Sequence, residues 1–224
     1  MWRIRNWLKN KLFKAFNPKN LSSSQTQIVK LSGEDLKAHE QFLIEILQAT
    51  SNSNGDAEVV YPLLAANIDK LDDTFAERLR SWATSYFEKV EANSTDATNE
   101  AEYIAVNIFK FGNLIQWFSL GNKANNMEIA VASYETVLKF CTQEDFPQDW
   151  ATIQNHLGDA YCDRIKGNKA ENIENAIQFY QAALKVRTQE AFPTDWATTQ
   201  NDLGTAYYER IKGDKAENIE NAIQ

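Results

Sequence analysis

Little in these 224 residues interrupts a helix. Eight glycines and four prolines are too few for an all-β chain, which needs turn residues about every ten positions. That scarcity favours an all-α fold. Two cysteines, Cys141 and Cys162, make no disulfide framework, so a stapled secreted class is set aside and a reducing cytoplasm is the simpler location. Only two histidines occur, His39 and His156, and neither has Cys, His or carboxylate partners at metal-ligand spacing. No metal or other cofactor is expected. No stretch approaches the roughly 18 apolar residues of a membrane span. Within residues 1–20 the longest apolar run is two residues, too short for the apolar core of a secretory signal. Acid is missing from residues 1–33, which carry seven basic side chains and leave a charge of −15 on the remainder of a chain whose net charge is −8. An acidic body repels phosphate backbones, which argues against nucleic acid as the partner.

What is present is ample core material, 43% hydrophobic and 12% aromatic. Residues 1–20 read as a basic, imperfectly amphipathic helix ended by Pro18, with Ile4, Trp7, Leu8, Leu12, Ala15 and Phe16 along one arc. Residues 1–16 suit weak peripheral contact with an anionic membrane surface; the plainer alternative is a helix docked on its own acidic body. Residues 21–32 read as a linker. A helical cap follows over 33–100. Its first helix is expected from about 33 to 49 behind a capping box at Ser32-Gly33-Glu34-Asp35, and Thr50 to Gly55 reads as a loop. The next helix is expected to begin near Val59, hold Pro62 in its first turn and end near Leu71. A third is expected behind a second capping box, Thr74 with Glu77, with Phe75, Leu79, Trp82, Tyr86 and Val90 on one face. Asn93 to Asn99 reads as a loop, and Tyr103 to Phe118 as a helix.

The rest is a repeat. Asn122–Gly167 laid over Asn168–Gly213 matches at 28 of 46 positions, and Lys215–Gln224 repeats Lys169–Gln178 without a change. The same period carries Gly158 and Gly167 back to Gly112 and Gly121, so a degenerate unit spans about 104–144, ahead of units at about 147–190 and 193–224. A period of roughly 20–50 residues signals stacked units, each too small to bury its own apolar face. Within a unit, Trp150, Ile153, Leu157, Tyr161 and Ile165 mark a first helix and Ile173, Ala176, Ile177, Tyr180, Ala183 and Leu184 a second. Pro147 and Asp149 open the first, Gly167 lies past its end, and Asn172 is expected to cap the second. Gly158 and Gly204 read as packing glycines. From Asn218 the last unit supplies only opening turns of a second helix, expected to fray.

Leu157-Gly158-x-x-Tyr161, followed by Ala176-x-x-x-Tyr180-x-x-Ala183, and again Leu203-Gly204-x-x-Tyr207, resemble the tetratricopeptide repeat. The unit is longer, 46 residues against roughly 34, and the length alone would also suit armadillo or HEAT repeats. The resemblance implies a right-handed α-solenoid of antiparallel helical hairpins, with 33–100 as its amino-terminal cap. It also implies which side chains of the first helices face the concave groove: Phe109, Asn113 and Trp117 in the degenerate unit, Asn155, Asp159 and Asp163 in the next, and Asn201, Thr205 and Glu209 in the last. That row is polar and acidic, suited to the backbone of an extended peptide bearing Lys or Arg, and it lacks the basic clamp that some members use for a terminal carboxylate.

The expected function is a non-catalytic scaffold that binds a protein or peptide. His156 stands where the next unit has Asp202 and is expected on a solvated face; it lies too far round the helix from Cys162 for a nucleophile pair. The Trp150 and Trp196 series is expected in the core between repeats. The wording Phe-Pro-x-Asp-Trp-Ala is also similar to repeats of large cyanobacterial proteins in which such arrays accompany a caspase-like (CHAT) protease domain. An alternative is therefore the sensor part of such an enzyme, its catalytic domain lying beyond this chain. Self-association through the incomplete last unit is a third.

Overall fold

The computed structural model of the chain describes residues 38–93, 97–210, 213 and 215–223. The basic segment 1–20, the linker 21–32 and the first capping box lie outside the described residues. Those described are all-α, with no strand among them, and the helices pack on their neighbours in sequence. They form two compact units that divide between Cys141 and Thr142.

The first unit holds α1 (Ala38–Asn52), α2 (Ala57–Ala66), a 3-10 turn (Ile68–Lys70), α3 (Phe75–Asn93), α4 (Ala97–Trp117) and α5 (Lys123–Leu138). Helix α1 buries Phe42, Leu43, Ile46 and Leu47 and continues through Thr50 to Asn52, longer than the pattern suggested. The chain then reverses through Asn54 and Gly55, both left-handed with φ of 56° and 81°; glycine adopts that region without steric cost. Asp56 caps α2 by accepting from Glu58 N–H at 2.9 Å, so the helix starts before Val59. Pro62 consequently lies inside it and not in the first turn, and α2 stops at Ala66, short of Leu71. A proline there removes one intrahelical donor.

The expected second capping box is replaced. The Asp72 carboxylate takes Thr74 N–H at 2.9 Å and its hydroxyl at 2.8 Å, while Glu77 pairs with Arg80 at 2.5 Å. Behind it Phe75, Leu79, Trp82, Tyr86 and Val90 are all buried, as their spacing requires. Helix α3 runs to Asn93 and α4 starts at Ala97, so Thr98 and Asn99 are helical. Helix α4 packs chiefly on α5, and α5 also on α3.

The second unit holds α6 (Pro147–Cys162), α7 (Lys169–Leu184), α8 (Pro193–Glu209) and α9 (Lys215–Ile223). Pro147 and Pro193 occupy first-turn positions, where the missing N–H is not needed. The cap of α7 is Asn168, whose side chain accepts from Glu171 N–H at 3.2 Å, and not Asn172. Asn172 is instead buried within the helix and donates to the carbonyls of Arg164 and Lys166 at 3.3 and 3.0 Å. The repeat reproduces this tie. Asn126 donates to Phe118 and Leu120 carbonyls at 3.2 and 2.9 Å, and Asn218 to that of Arg210 at 3.3 Å. Each buried amide thus fastens the turn that precedes its own helix, and α9 accordingly begins at Lys215, ahead of Asn218. Ile165 lies beyond the end of α6 and is 58% exposed, so it leaves the apolar face assigned to it. Ile173, Ala176, Ile177, Tyr180 and Ala183 are buried.

The two glycine series do different work. Gly121, Gly167 and Gly213 have φ of 81°, 84° and 89° in the turns between helices. Gly112 and Gly158 are packing positions. A Cβ on Gly112 would lie 2.9 Å from Tyr134 Cε1, and one on Gly158 2.7 Å from Tyr180 Cζ and nearer still to Cε1. Gly158 with Tyr180, and Asn172 with Arg164 and Lys166, set the antiparallel register of α6 on α7.

Candidate functional site

The three candidates of the degenerate unit share α4. Phe109 is 5% exposed, its ring 5.7 Å from that of Tyr134. Asn113 is half-buried and accepts from the Tyr134 hydroxyl at 2.7 Å; Gln116 Oε1 also lies 2.8 Å from that oxygen. Trp117, in the last turn, is 70% exposed. Of the three, Trp117 alone is fully presented to solvent.

The other six lie on α6 and α8, and the structure brings part of them together. Asn155 is buried and fully engaged: its Oδ1 accepts from Thr199 Oγ1 at 2.6 Å and its Nδ2 donates to Asp202 Oδ2 at 3.2 Å. It joins two helices and has no polar atom to spare. Asp159 is half-buried one turn on and accepts from the Tyr180 hydroxyl at 2.8 Å. Asp163, Asn201, Thr205 and Glu209 are exposed. Glu209 lies 3.6 Å from Lys169 Nζ, and the Thr205 hydroxyl is turned back on the Asn201 carbonyl at 3.1 Å.

Four polar residues absent from the sequence-based row complete the arrangement. Arg187 follows α7 and donates to Thr199 Oγ1 at 2.9 Å and to Thr152 Oγ1 at 3.1 Å, stitching α6 to α8 through two hydroxyls. Asp202 and Thr199 present themselves to Asn155 from α8. The only hint in the sequence is replacement between repeats: Arg187 stands where the preceding unit has Cys141, and Asp202 where it has His156.

The electrostatics follow from burial. Burial pushes Asp159 up to about 6, with Asp202 and Asp163 adding to the rise and the Tyr180 hydroxyl and Arg187 opposing it. Asp149, buried in the first turn of α6, is raised to about 7 by the same cause. His156 is half-buried, not on the solvated face expected of it; burial and then Arg187 lower it to about 4. The Cys162 thiol is raised to about 11, chiefly by burial, which holds it in its unreactive form. Burial likewise lowers Arg187, against the pull of Asp195, Asp159 and Asp202. Trp150 and Trp196 are half-buried.

Among the described residues no group of three or more His, Cys, Asp or Glu is arranged to hold a metal ion, and obvious catalytic features are lacking. No described helix is long and apolar enough to cross a membrane. Comparison with protein-family models, with curated proteins and with solved structures gives no significant match to the chain.

Proposed function

We propose that the chain is a non-catalytic scaffold of tetratricopeptide-like hairpins in a right-handed array, capped by α1 to α3, and that it binds a basic segment of another protein. The 46-residue period, the glycines that admit Tyr134 and Tyr180, and the sequential antiparallel packing support the architecture. One observation carries the binding reading. The α6–α8 side of the second unit collects Asp159, Asp163, Asp202 and Glu209 against Arg187 and Lys169, and Arg187 spends its donors on hydroxyls. With Asp159 raised by burial and by two neighbouring carboxylates, an added cation there lowers the energy of several groups at once. Exposed Asn201 has both a donor and an acceptor for the backbone of such a ligand.

The test is fluorescence polarisation with a Lys/Arg-rich peptide and its Glu/Asp-rich counterpart, at low and at physiological salt. The basic peptide binds, more weakly as salt rises, and D163K with E209K weakens it at least about ten-fold. Equal binding of both peptides, or no effect of the charge reversal, removes the reading.

A further inference from the structure

Helix α2 has an outer face that nothing among the described residues covers. Val60 and Leu64 are buried on its inner side, while Glu58, Val59, Pro62, Ala65 and Ala66 are exposed. Four of those five are apolar, and Val59 is 52% exposed. The apolar surface continues past the helix. Ile68 is 39% exposed and Leu120 is 50% exposed, and the two are brought near one another because a Cβ on Gly121 would lie 3.1 Å from Ile68 Cγ1. A row of aliphatic groups on a small helix is usually covered by something.

The charges around the face say what kind of group covers it. Asp56, Glu58, Asp69 and Asp73 are exposed at its two ends. The one base between residues 48 and 77 is Lys70, which donates to Asn67 Oδ1 at 2.7 Å and lies over the Phe42 ring. The complementary partner is apolar and cationic without acid. Residues 1–20 of the same chain have that composition: Arg3, Arg5, Lys9, Lys11, Lys14 and Lys19 with no Asp or Glu, interspersed with Trp2, Ile4, Trp7, Leu8, Leu12, Phe13 and Phe16.

Reach permits the contact. Helix α1 packs on α2 and is about 22 Å long at 1.5 Å per residue, whereas residues 21–37 extend to more than twice that at about 3.3 Å each. Tethering keeps the segment at an effective concentration that a free peptide would not reach.

We propose that residues 1–20 dock on the outer face of α2, their apolar side chains against Val59, Pro62 and Ala66 and their cations between the acids at its ends. The face is then satisfied within one chain, and the segment meets a membrane or another protein only by leaving it. This is independent of the peptide site on α6 and α8.

Hydrogen exchange of the whole chain is compared with that of a chain lacking residues 1–20, without lipid and at a concentration where sedimentation shows monomer. Amides of 57–66 exchange at least ten-fold faster in the shortened chain, and V59K with A66K in the whole chain gives the same loss. Those two side chains are exposed, so the fold survives, and trypsin then cuts after Arg5, Lys9 and Lys11 at least ten-fold faster than in the parent. Equal exchange in α2 with and without the segment overturns the proposal. Protection that arises only on adding phosphatidylglycerol vesicles, or only as concentration drives dimerisation, overturns it too and assigns the face to lipid or to a second copy.

Discussion

Helices α6 and α8 are nearly the same sentence, Pro-x-Asp-Trp-Ala-Thr-x-Gln-Asn-x-Leu-Gly-x-Ala-Tyr, in two environments. Ala151 is fully buried and Ala197 exposed, Leu157 is fully buried and Leu203 half-buried, and Asn155 is 6% exposed while Asn201 is open to solvent. The difference lies in what packs against each helix. Asn155 meets Thr199 and Asp202 from α8, whereas no described helix of the second unit follows α8 except α9. A residue type therefore has no fixed role in this repeat: the asparagine that closes one interface is, one period later, a free donor and acceptor.

The largest expected effect comes from breaking the glycine contact on one helix and not on the other. Gly158→Ala places a methyl group in the Tyr180 ring, which is itself buried and held by Asp159, at an overpacking cost of about 2–3 kcal/mol. Gly204→Ala meets only the Ala222 carbonyl oxygen, 3.0 Å away, and the better helix propensity of alanine, worth about 1 kcal/mol, offsets the strain. Urea midpoints distinguish the two, and equal losses would show that the contact is not what separates the helices.

Next in size is a pH effect confined to α6. His156 falls to about 4 from an ordinary 6.5, so the unfolded chain binds its proton first and stability from this group is lost as pH drops from 6.5 toward 4. Asp149 and Asp159, raised to about 7 and about 6, act with the opposite sign: the folded state takes their protons first and gains as pH falls. The parent curve mixes these trends, so the comparison is between parent and His156→Gln. Their difference should be small at pH 7 and grow to about 2 kcal/mol against the parent by pH 4.5. A difference that stays flat with pH would remove the claim of a buried neutral histidine.

How much of this was readable beforehand depends on whether a feature repeats. Period, hairpin register and packing glycines were legible because Gly112, Gly158 and Gly204 keep their spacing and face an aromatic ring or a close backbone. The helical face of α3 was legible from strict apolar spacing. The cap was misassigned to Asn172 because Asn168 and Asn172 are both suitable residue types four apart, and sequence cannot tell an N-cap from a buried amide tied to the preceding turn. The acidic row was readable as composition, but not that Asn155 would be used up inside the repeat: its partners lie 44 and 47 residues away, and Arg187 enters from a position that holds cysteine one unit earlier. Local propensity carries no information about such contacts.

Asn155→Ala and Asn201→Ala sharpen the same comparison at a lower magnitude. Removing Asn155 leaves the Thr199 hydroxyl without its acceptor and Asp202 without its donor, at a cost of about 1–3 kcal/mol. This displaces the expectation that both exchanges leave folding intact. Asn201→Ala removes an exposed side chain and should change stability by less than about 0.5 kcal/mol, while still weakening a bound basic peptide. If Asn201→Ala destabilised as much as Asn155→Ala, the environment argument would fail.

The smallest effect expected is at the rim. Lys169 and Glu209 approach to 3.6 Å with about half of each side chain exposed, 50% and 45%, so water and salt screen most of their attraction. Lys169→Ala should therefore cost less than about 0.5 kcal/mol. Its Nζ also donates to the Cys162 carbonyl at 2.6 Å, at the end of α6, where a cation suits the helix dipole. The two contributions separate by salt: the pair with Glu209 fades as ionic strength rises, while the short contact with the carbonyl persists. Freed of Lys169, Glu209 adds a full negative charge to the face that includes Asp159 and Asp163, so the same variant should bind a basic peptide more tightly at low salt while the fold is slightly less stable. A variant that lost stability and affinity together would instead mean that Lys169 holds the turn after α6 in place for the ligand.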